Sequence, residues 1–451
     1  MFQHSLGFAL VVSLASGGLA AAQPEAEQQP AETLPTDEPE PNTLALWFAH
    51  AESDNIGRTV IPEDGSYDGL GLLGNLGYMS NRLAASVNAD LEYRTYSLDT
   101  LDSEVVGTLN AGAVIDIIED RFTWTFNDYF GQGITDPFAG IGPGNRNQIN
   151  VIATGPKVDL PLGALTTLAL GSTLSQRRFG DSPNVDSDST LFEIGLSRQI
   201  STTARLGIAA TADSIDYVDV LAPQYDIDKL SIQYEKELAS GRVHAELGTN
   251  EISAAGFKEN GSLYDFLWVR SLTPRSDLSI VAAQEFTDAG GALVDVLAPG
   301  LEVDSFTDVV VVPNPLEQQR LVLSYVLTMS RTVIGAYAGS FQEEYVGNTV
   351  ANNDWVPLNV SLRRTISPRL GIGFDFGRLE RQFSNNPQLD GEESWTSLWV
   401  RRTFGRRLFL AFAILDYERS AVDSYDEQRY EFRFGYSPTN NPVGRVASTW
   451  R

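Results

Sequence analysis

The stretch LAASVNADLEYRTY, residues 83–96, decides the fold class. Its odd positions from 83 to 93 hold Leu, Ala, Val, Ala, Leu and Tyr, whereas its even positions from 86 to 94 hold Ser, Asn, Asp, Glu and Arg. Residues that alternate with a period of two point to opposite faces of a β-strand. The stretch therefore predicts a strand with one apolar face and one face in contact with water.

The same alternation recurs in residues 206–213, 370–376 and 430–436. Each segment is about ten residues long, which is the length that a tilted strand needs to cross a bilayer. The alternation predicts a lipid-facing set that includes Leu83, Val87, Leu91, Leu206, Ile208, Leu370, Ile372 and Phe374.

Short and long connections alternate along the chain. The short ones include SRQIS (197–201), VRSLTP (269–274), RRTISP (363–368) and RRTFG (401–405), with further tight turns near Ser80, Glu119, Pro161, Ala239 and Ser330. The long ones are 132–148, 180–187, 289–315 and 384–391, and we expect them to face outward. A first strand near 44–53 and a last near 429–436 bring the count to about twenty. We expect an all-β, transmembrane, antiparallel up-and-down barrel of 18–20 strands.

The two ends of the chain differ from this pattern. Residues 1–22 are typical of a cleavable signal peptide, because an apolar stretch precedes Ala20-Ala21-Ala22, and 23–43 form a Pro- and Glu-rich periplasmic tether that we expect to be disordered. The predicted barrel occupies 44–437 and a tail occupies 438–451. Because the last strand stops before the C-terminus, we expect the assembly signal to be internal, at 430–436, with Trp450 imitating a terminal aromatic as the alternative.

Composition excludes several classes of protein. The formal charge of −27 repels nucleic acid, so we expect no nucleic-acid partner. The absence of cysteine rules out disulfides, thiolate metal sites and a lipidated N-terminal cysteine. No apolar run of 18 residues follows the N-terminal segment, which argues against a helical membrane protein. We expect no cofactor.

Five strings add a resemblance to a known family. They are Ser53–Ile56, Asp128–Gln132 with Asp136–Phe138, Asn145–Arg146, Thr154–Pro156 and Glu285–Ala289. In this order they resemble a family of outer-membrane β-barrel porins that accompany exosortase and exopolysaccharide systems. The resemblance implies a barrel in the outer membrane of a Gram-negative bacterium, with a role in envelope polysaccharide traffic or assembly, and it implies no catalytic residues. The expected partners are outer-membrane lipid, the barrel assembly machinery, and polysaccharide or periplasmic export components.

No catalytic or metal site is predicted. His244 lies beside Glu246 on a polar face, and we interpret it as a lumen histidine because no partnered nucleophile is visible. Residues 181, 186 and 188 are aspartates, but the glycine and glutamate of a calcium loop are missing, which favours a solvated acidic loop.

Arginines cluster at two short connections, at 363–364 and at 401–402 with 406–407. An anion-selective ring would need them all in the lumen. Adjacent residues of a strand point to opposite faces, so half of them are expected to anchor the barrel at the membrane interface.

The segment Gly131–Asn147 is the main candidate for a functional element. It is rich in glycine, it holds Asp136 and Arg146, and structureless loops of this length are often functional. We expect it either to fold into the mouth or lumen, where Asp136 and Arg146 would set the local field, or to be an ordinary outer loop. Residues 309–312, a run of valines, are either a short strand above the membrane or an exposed surface.

Three functions remain open at this stage. The first is a non-enzymatic channel or porin-like barrel associated with exopolysaccharide export, because sixteen or more strands enclose a lumen too wide for side chains to fill. The second is a structural or interaction barrel that is plugged by its own loops and docks periplasmic factors. The third, a hydrolase with catalytic groups on its loops, is disfavoured by the scarcity of histidine and the absence of cysteine.

Overall fold

The computed structural model describes residues 42–438 except 181, 183–184, 219–223, 255, 298–309, 313 and 348–350. The predicted signal peptide, nearly all of the predicted tether and of the C-terminal tail, and Asp181 lie outside the described residues. The strands are Thr43–Ser53 (β1), Gly65–Met79 (β2), Leu83–Tyr96 (β3), Glu104–Ile118 (β4), Phe122–Ile134 (β5), Arg146–Pro161 (β6), Thr166–Phe179 (β7), Ser187–Ser201 (β8), Ala204–Tyr217 (β9), Tyr225–Leu238 (β10), Gly241–Ala254 (β11), Phe257–Thr273 (β12), Ser276–Thr287 (β13), Leu316–Thr328 (β14), Thr332–Tyr345 (β15), Asn353–Ser367 (β16), Leu370–Phe383 (β17), Gly391–Phe404 (β18), Leu408–Ser420 (β19) and Tyr425–Tyr436 (β20). A helix, Ala289–Leu297 (α1), follows β13.

The twenty strands form one closed antiparallel sheet. Each strand pairs with its neighbours in sequence, and β1 also pairs with β20, from Leu46 opposite Tyr436 to Ser53 opposite Arg429. The closing pair removes both sheet edges, as a spanning barrel requires, because backbone groups in hydrocarbon have no water to bind. The predicted all-β transmembrane barrel is confirmed, at the upper end of the expected strand number.

The two faces of the sheet have opposite chemistry. On the outside, Phe48, Ile208 and Phe434 are about half exposed, at 45%, 51% and 48%. On the inside, Glu431 and Arg433 of β20 are buried. All eight residues predicted to face lipid lie on the outer face by strand register. An apolar exterior around a polar interior is the arrangement of a bacterial outer-membrane barrel, and the protein is located there.

The connections differ at the two ends. Nine short turns join β2 to β3, β4 to β5 and so on to β18 and β19, at the positions expected from the sequence. The longer loops all lie at the opposite end, which we call the mouth. Both described termini lie at the turn end, and short turns are periplasmic in such barrels. Among the residues that the structure describes, no helix is long and apolar enough to cross a bilayer.

Near the mouth, β5 and β13 each lose their pairing with one neighbouring strand. The pairing of β4 with β5 stops at Leu109 opposite Phe130, so the last four residues of β5 pair with β6 alone. The pairing of β12 with β13 stops at Tyr264 opposite Gln284. The connections that follow these two strands, residues 135–145 and α1, both enter the barrel.

The register of β9 can be tested with two arginine substitutions. Ile208 faces outward, whereas Thr211 faces the lumen opposite Glu193 of β8. We expect Ile208→Arg to lower the free energy of unfolding in lipid vesicles by about 2–4 kcal/mol, because the guanidinium meets hydrocarbon. Thr211→Arg should leave it nearly unchanged. Equal losses in a urea titration followed by heat-modifiable gel mobility would contradict this register.

Candidate functional site

Two segments cover the mouth from inside the ring of strands. The first is the connection between β5 and β6, residues 135–145, which we call the crossing loop. The second is α1 with the described residues 310–312 that follow it. They contact opposite parts of the barrel wall, and together they define the candidate site.

The crossing loop is held in shape by Asn145. The side-chain amide of Asn145 donates to the carbonyls of Asp136 (2.8 Å) and Gly140 (3.1 Å), and its Oδ1 accepts from the Asp136 N–H (2.7 Å). At the base of the loop, the Thr135 N–H donates to the Asn145 carbonyl at 3.1 Å. One buried side chain thus satisfies several backbone groups of a loop whose regular secondary structure is a single 3-10 turn, Pro143–Asn145.

The tip of the crossing loop docks on the far wall. Arg419 of β19 donates from Nη2 to the Phe138 carbonyl at 2.7 Å, and the ring of Phe138 lies 4.8 Å from that of Phe383 on β17. Arg58, in the connection between β1 and β2, donates from Nη1 to the Ile141 carbonyl at 2.7 Å. The loop therefore spans from β5 and β6 to the group of strands around the closing pair.

Arg58 is itself fixed by a buried carboxylate. Its Nε lies 2.7 Å from Oε2 of Glu427 on β20, both side chains are buried, and the guanidinium lies 3.8 Å from the ring centre of Tyr417. Burial lowers the pKa of the Arg58 guanidinium, but the charges of Glu427, Tyr417 and Tyr425 and the hydrogen bond to Glu427 together raise that pKa above its ordinary value. Arg58 stays charged, and removal of either partner would leave a buried ion, at a cost of about 3–5 kcal/mol.

The helix α1 is anchored by Asp288. Oδ1 of Asp288 accepts from the Gly291 N–H at 2.7 Å, as an N-capping residue does. Its Oδ2 accepts from Nη1 of Arg177 on β7 (2.6 Å) and from the hydroxyl of Tyr225 on β10 (3.1 Å). A single carboxylate therefore ties the start of the helix to two distant strands.

The helix packs on the wall opposite to the one that holds the crossing-loop tip. Ala292 and Leu293 are buried in an apolar cluster with lumen-facing residues of β6–β11, and Leu293 lies against Gly131 of β5. The crossing loop and the helix connection meet where Val311 N–H donates to the Ile134 carbonyl at 2.9 Å. Val310 forms a parallel β-bridge with Ile134, and Val310 and Val311 are buried, so the alternative of an exposed surface at 309–312 is wrong for these two residues. Residue 309 lies outside the described residues.

Each gap in the ladder is filled by a side chain. Between β4 and β5, the Gln132 amide accepts from the Gly107 N–H (3.0 Å) and donates to the carbonyls of Gly107 (2.9 Å) and Val105 (3.2 Å). Between β12 and β13, the buried ring of Phe286 lies against Gly261. At the first gap the Gln132 amide satisfies the backbone of Gly107, and at the second the phenyl ring fills the space between the strands.

The two residues singled out in Gly131–Asn147 do not form a pair. Asp136 is exposed on the crossing loop, where its Oδ1 accepts from the Phe138 N–H at 2.9 Å. Arg146 is buried at the start of β6, with Nη1 2.7 Å from Oε1 of Glu104, which also accepts from the Tyr96 hydroxyl. Asp136 and Arg146 therefore lie in different surroundings, and Glu104 of β4 is the carboxylate that pairs with Arg146.

The other sequence candidates are dispersed. His50 lies on the outer face, 2.8 Å from Asp68, and His244 lies in the lumen, 3.8 Å from Glu235 and 4.0 Å from Glu246. Asp186 accepts from the Phe179 N–H at 2.8 Å, and Asp188 pairs with Arg178 at 2.6 Å. Within the described residues, no group of three or more His, Asp or Glu side chains could hold a metal ion.

Below the mouth, buried side chains fill the lumen next to one part of the wall. Around the closing pair, Glu92 of β3 accepts from Nε1 of Trp47 at 2.7 Å and lies 2.8 Å from Nε of Arg94 and 3.1 Å from Nη2 of Arg433. Arg433 also pairs with Glu431, which accepts from the Tyr67 hydroxyl at 2.7 Å. These side chains are buried, so their charges are matched within the wall and do not face water.

The opposite part of the wall is open. The lumen-facing carboxylates that are partly or fully exposed there include Glu193, Glu235, Glu237, Glu246 and Asp265. The half-exposed or exposed cations that face them are Lys157, Arg205 and Arg242, with His244 between, whereas Lys229 of β10 is paired with Glu285 at 2.5 Å. Arg205 lies 3.7 Å from Glu235, and the side chain of Glu235 keeps 38% exposure. Acidic groups thus predominate where the lumen meets water.

Four of the five family-like strings converge at the mouth. Ser53–Ile56 lies beside Glu427, since the Ser53 hydroxyl donates to that carboxylate at 2.8 Å. Asp128–Gln132 and Glu285–Ala289 supply the two gap-filling residues and the anchor of α1, and Asp136–Phe138 and Asn145–Arg146 shape the crossing loop. Sequence reasoning missed Arg58, Arg419 and α1. Only α1 left a local signal, an Asp directly before an apolar run at 288–294.

No protein-family model and no curated protein sequence matches the chain. Among solved structures, OpdK from Pseudomonas aeruginosa is similar over 88% of this chain and 98% of its own, at 10% identity and a TM-score of 0.35. OccK2 (OpdF) from the same organism is similar over 89% of this chain and 98% of its own, at 11% identity and a TM-score of 0.35. The FrpB iron transporter from Neisseria meningitidis is similar over 88% of this chain and 82% of its own, at 6% identity and a TM-score of 0.43. Similarity at this level carries no argument about the function of the chain.

Docking of the crossing loop can be tested at two of its glycines. A Cβ atom at Gly140 would lie 1.9 Å from the Tyr425 hydroxyl oxygen, whereas one at Gly144 would meet no atom within 4 Å. We expect Gly140→Val to undock the loop, since overpacking costs about 1–3 kcal/mol, and Gly144→Val to leave it docked. Protease cleavage within 135–145, measured on the folded barrel in vesicles, should accelerate only in Gly140→Val. Equal cleavage rates in the two variants would show that the tip is not held at Tyr425.

Proposed function

We propose that the protein is a non-enzymatic outer-membrane channel in which solutes pass along the open acidic wall and the inserted segments restrict the mouth. The observation that carries the proposal is the set of water-exposed, lumen-facing carboxylates on β8 and β10–β12. In a plugged barrel with no water path, charged side chains on the inner wall would have to be paired and buried, as they are around β20.

The dimensions of the barrel support a water path. A sheet of twenty strands encloses more space than its own side chains can fill. The packed wall around the closing pair takes up one side, and α1 with the crossing loop takes up the mouth. The space that remains lies against β6–β12, where the exposed charges are found.

The charge of the open wall favours cations or neutral polar solutes. Lys229 is neutralised by Glu285, and the remaining carboxylates of this surface outnumber its two arginines and one lysine. In the crossing loop, we propose that the exposed Asp136 adds to this field at the mouth, whereas Arg146, matched by Glu104, secures the base of the loop.

We also propose an association with exopolysaccharide export or envelope traffic. Its support is the resemblance of the five strings, four of which build the mouth. The crossing loop and α1 would then be the parts of the barrel that porins of exopolysaccharide systems have in common. The charges of the open wall would be specific to this chain.

A second candidate function is a structural or interaction barrel that docks periplasmic factors. One observation favours it: the crossing loop and α1 are fixed by buried groups, Glu427 and Asp288 among them, rather than resting loosely in the mouth. Such a barrel would not conduct in its resting state.

Ion selectivity tests the role of the open wall. The triple variant is Glu235→Gln, Glu246→Gln and Asp265→Asn. We expect it to reduce the ratio of cation to anion permeability by roughly fivefold at low salt, because two unit charges about 4 Å apart in water interact by about 1 kcal/mol. The measurement is the reversal potential across a planar bilayer under a salt gradient.

The matched control neutralises three acidic residues on the outer face of two of the same strands, with Asp226→Asn, Asp228→Asn and Glu251→Gln. It removes the same charge from the protein but none from the lumen. If both triple variants shift the reversal potential equally, the selectivity arises from the general field of the protein and the proposed path is wrong.

Removal of the crossing-loop tip separates the two candidate functions. Because Thr135 and Asn145 are hydrogen bonded, residues 136–144 can be replaced by a short Gly-Ser linker without moving the strand ends. We expect single-channel conductance to rise in this variant and to stay at the parent value in Gly144→Val. A barrel that does not conduct before or after the replacement would favour the structural alternative.

A further inference from the structure

Six exposed arginines form one patch at the turn end of β14–β19. They are Arg331, Arg364, Arg369, Arg402, Arg406 and Arg407, and we call them the basic patch. Their connections adjoin one another in order, since the Thr365 N–H donates to the Arg331 carbonyl and the Thr403 N–H to the Arg369 carbonyl, both at 2.8 Å. The patch is therefore continuous around this part of the rim, although its residues come from three separate turns.

The patch carries a high density of uncompensated charge. The connecting stretches 329–331, 363–369 and 401–407 contain no Asp or Glu. On the outer face of the same strands, the carboxylates stand at the mouth end, with Glu380, Glu392 and Asp416 among them. The charge of this side of the barrel is thus separated along its axis, basic at the periplasmic end and acidic at the outer end.

The patch adjoins the lipid-facing belt. Arg364 and Arg402 lie within strands and point outward, whereas Arg363 and Arg401, their neighbours in sequence, point into the lumen. The guanidinium of Arg402 lies 5.4 Å from the ring centre of Phe404, which is itself 46% exposed. Cationic and apolar side chains therefore alternate on one surface.

The rim aromatic Tyr436 is also bound to the patch. Arg407 donates from Nη1 to the Tyr436 hydroxyl at 3.0 Å, and Tyr436 is 39% exposed on the outer face. A surface with both kinds of group fits a molecule that has an anionic head and an apolar chain.

We propose that the basic patch binds the headgroups of anionic phospholipids in the periplasmic leaflet. Guanidinium groups bind phosphate through two parallel hydrogen bonds, and basic residues near an anionic membrane surface are attracted to its headgroups. A periplasmic protein or an acidic segment of the chain would reach the turn residues from the aqueous side. The outward-pointing Arg364 and Arg402 are reached from the plane of the membrane, which favours lipid as the occupant.

The test measures lipid retained by the full-length protein. The barrel is purified from vesicles that contain equal amounts of phosphatidylglycerol and phosphatidylcholine, and the bound lipids are counted by native mass spectrometry. We expect wild type to retain phosphatidylglycerol preferentially. The variant Arg364→Gln, Arg402→Gln, Arg406→Gln and Arg407→Gln should lose that preference by at least about fivefold, which corresponds to about 1 kcal/mol.

The matched control removes four positive charges from the same end of the barrel, on strands and turns outside β14–β19, with Arg121→Gln, Arg198→Gln, Lys236→Gln and Arg270→Gln. It should keep most of the preference. An equal loss in the control would overturn the proposal, because retention would then follow net charge alone.

Two further experiments identify what binds to the basic patch. Glycerol phosphate, which has the headgroup chemistry without chains, should not displace the lipid, and displacement would show a site for free phosphate. Deletion of residues 23–41 should leave retention unchanged, whereas a large rise would show that the acidic segment occupies the patch in the intact chain. Either result would overturn the proposal.

Discussion

The structure depends on the closing pair between β1 and β20. A barrel in hydrocarbon is stable only if every strand has two neighbours, and here the first and last strands meet over eight residue pairs. The lumen side of this junction is where Glu92, Glu431 and Arg433 are buried together. Ion pairs of this kind contribute little net stability, but an unmatched member costs several kcal/mol, so a slipped register at the junction would be strongly disfavoured.

The same requirement limits how the mouth can be covered. A strand that bends into the lumen must give up hydrogen bonds to one neighbour, and the barrel permits this only near the mouth, at the ends of β5 and β13. Gln132 replaces the lost backbone partners at one gap, and Phe286 fills the other. The covering segments are therefore extensions of the wall, and their positions follow from those of two strands.

Local sequence patterns predicted the strands and the turns, but not the contacts that shape the site. Alternation fixes which face each residue occupies. Odd and even positions along a strand therefore predicted the lipid-facing set, and they predicted that Arg363 and Arg364 point to opposite faces. The crossing loop could be selected by its length and its glycines. Its anchors could not, because Arg58 and Glu427 are 369 residues apart and Arg419 and Phe138 are 281 apart, distances at which no local pattern applies. The ion pair of Arg146 with Glu104, 42 residues away, was out of reach for the same reason.

The net charge of the chain is a poor guide to the field in its lumen. Much of the acidic excess lies on the outer face near the mouth, and the carboxylates around the closing pair are matched by buried arginines such as Arg94 and Arg433. Matched buried charges act on a passing ion only as weak dipoles, whereas exposed groups such as Glu237 act as single charges screened by salt. In the proposed channel, the few exposed groups of β6–β12 would set the field along the water path. One side of the barrel would then select the solute, whereas the packed side would leave no room for it.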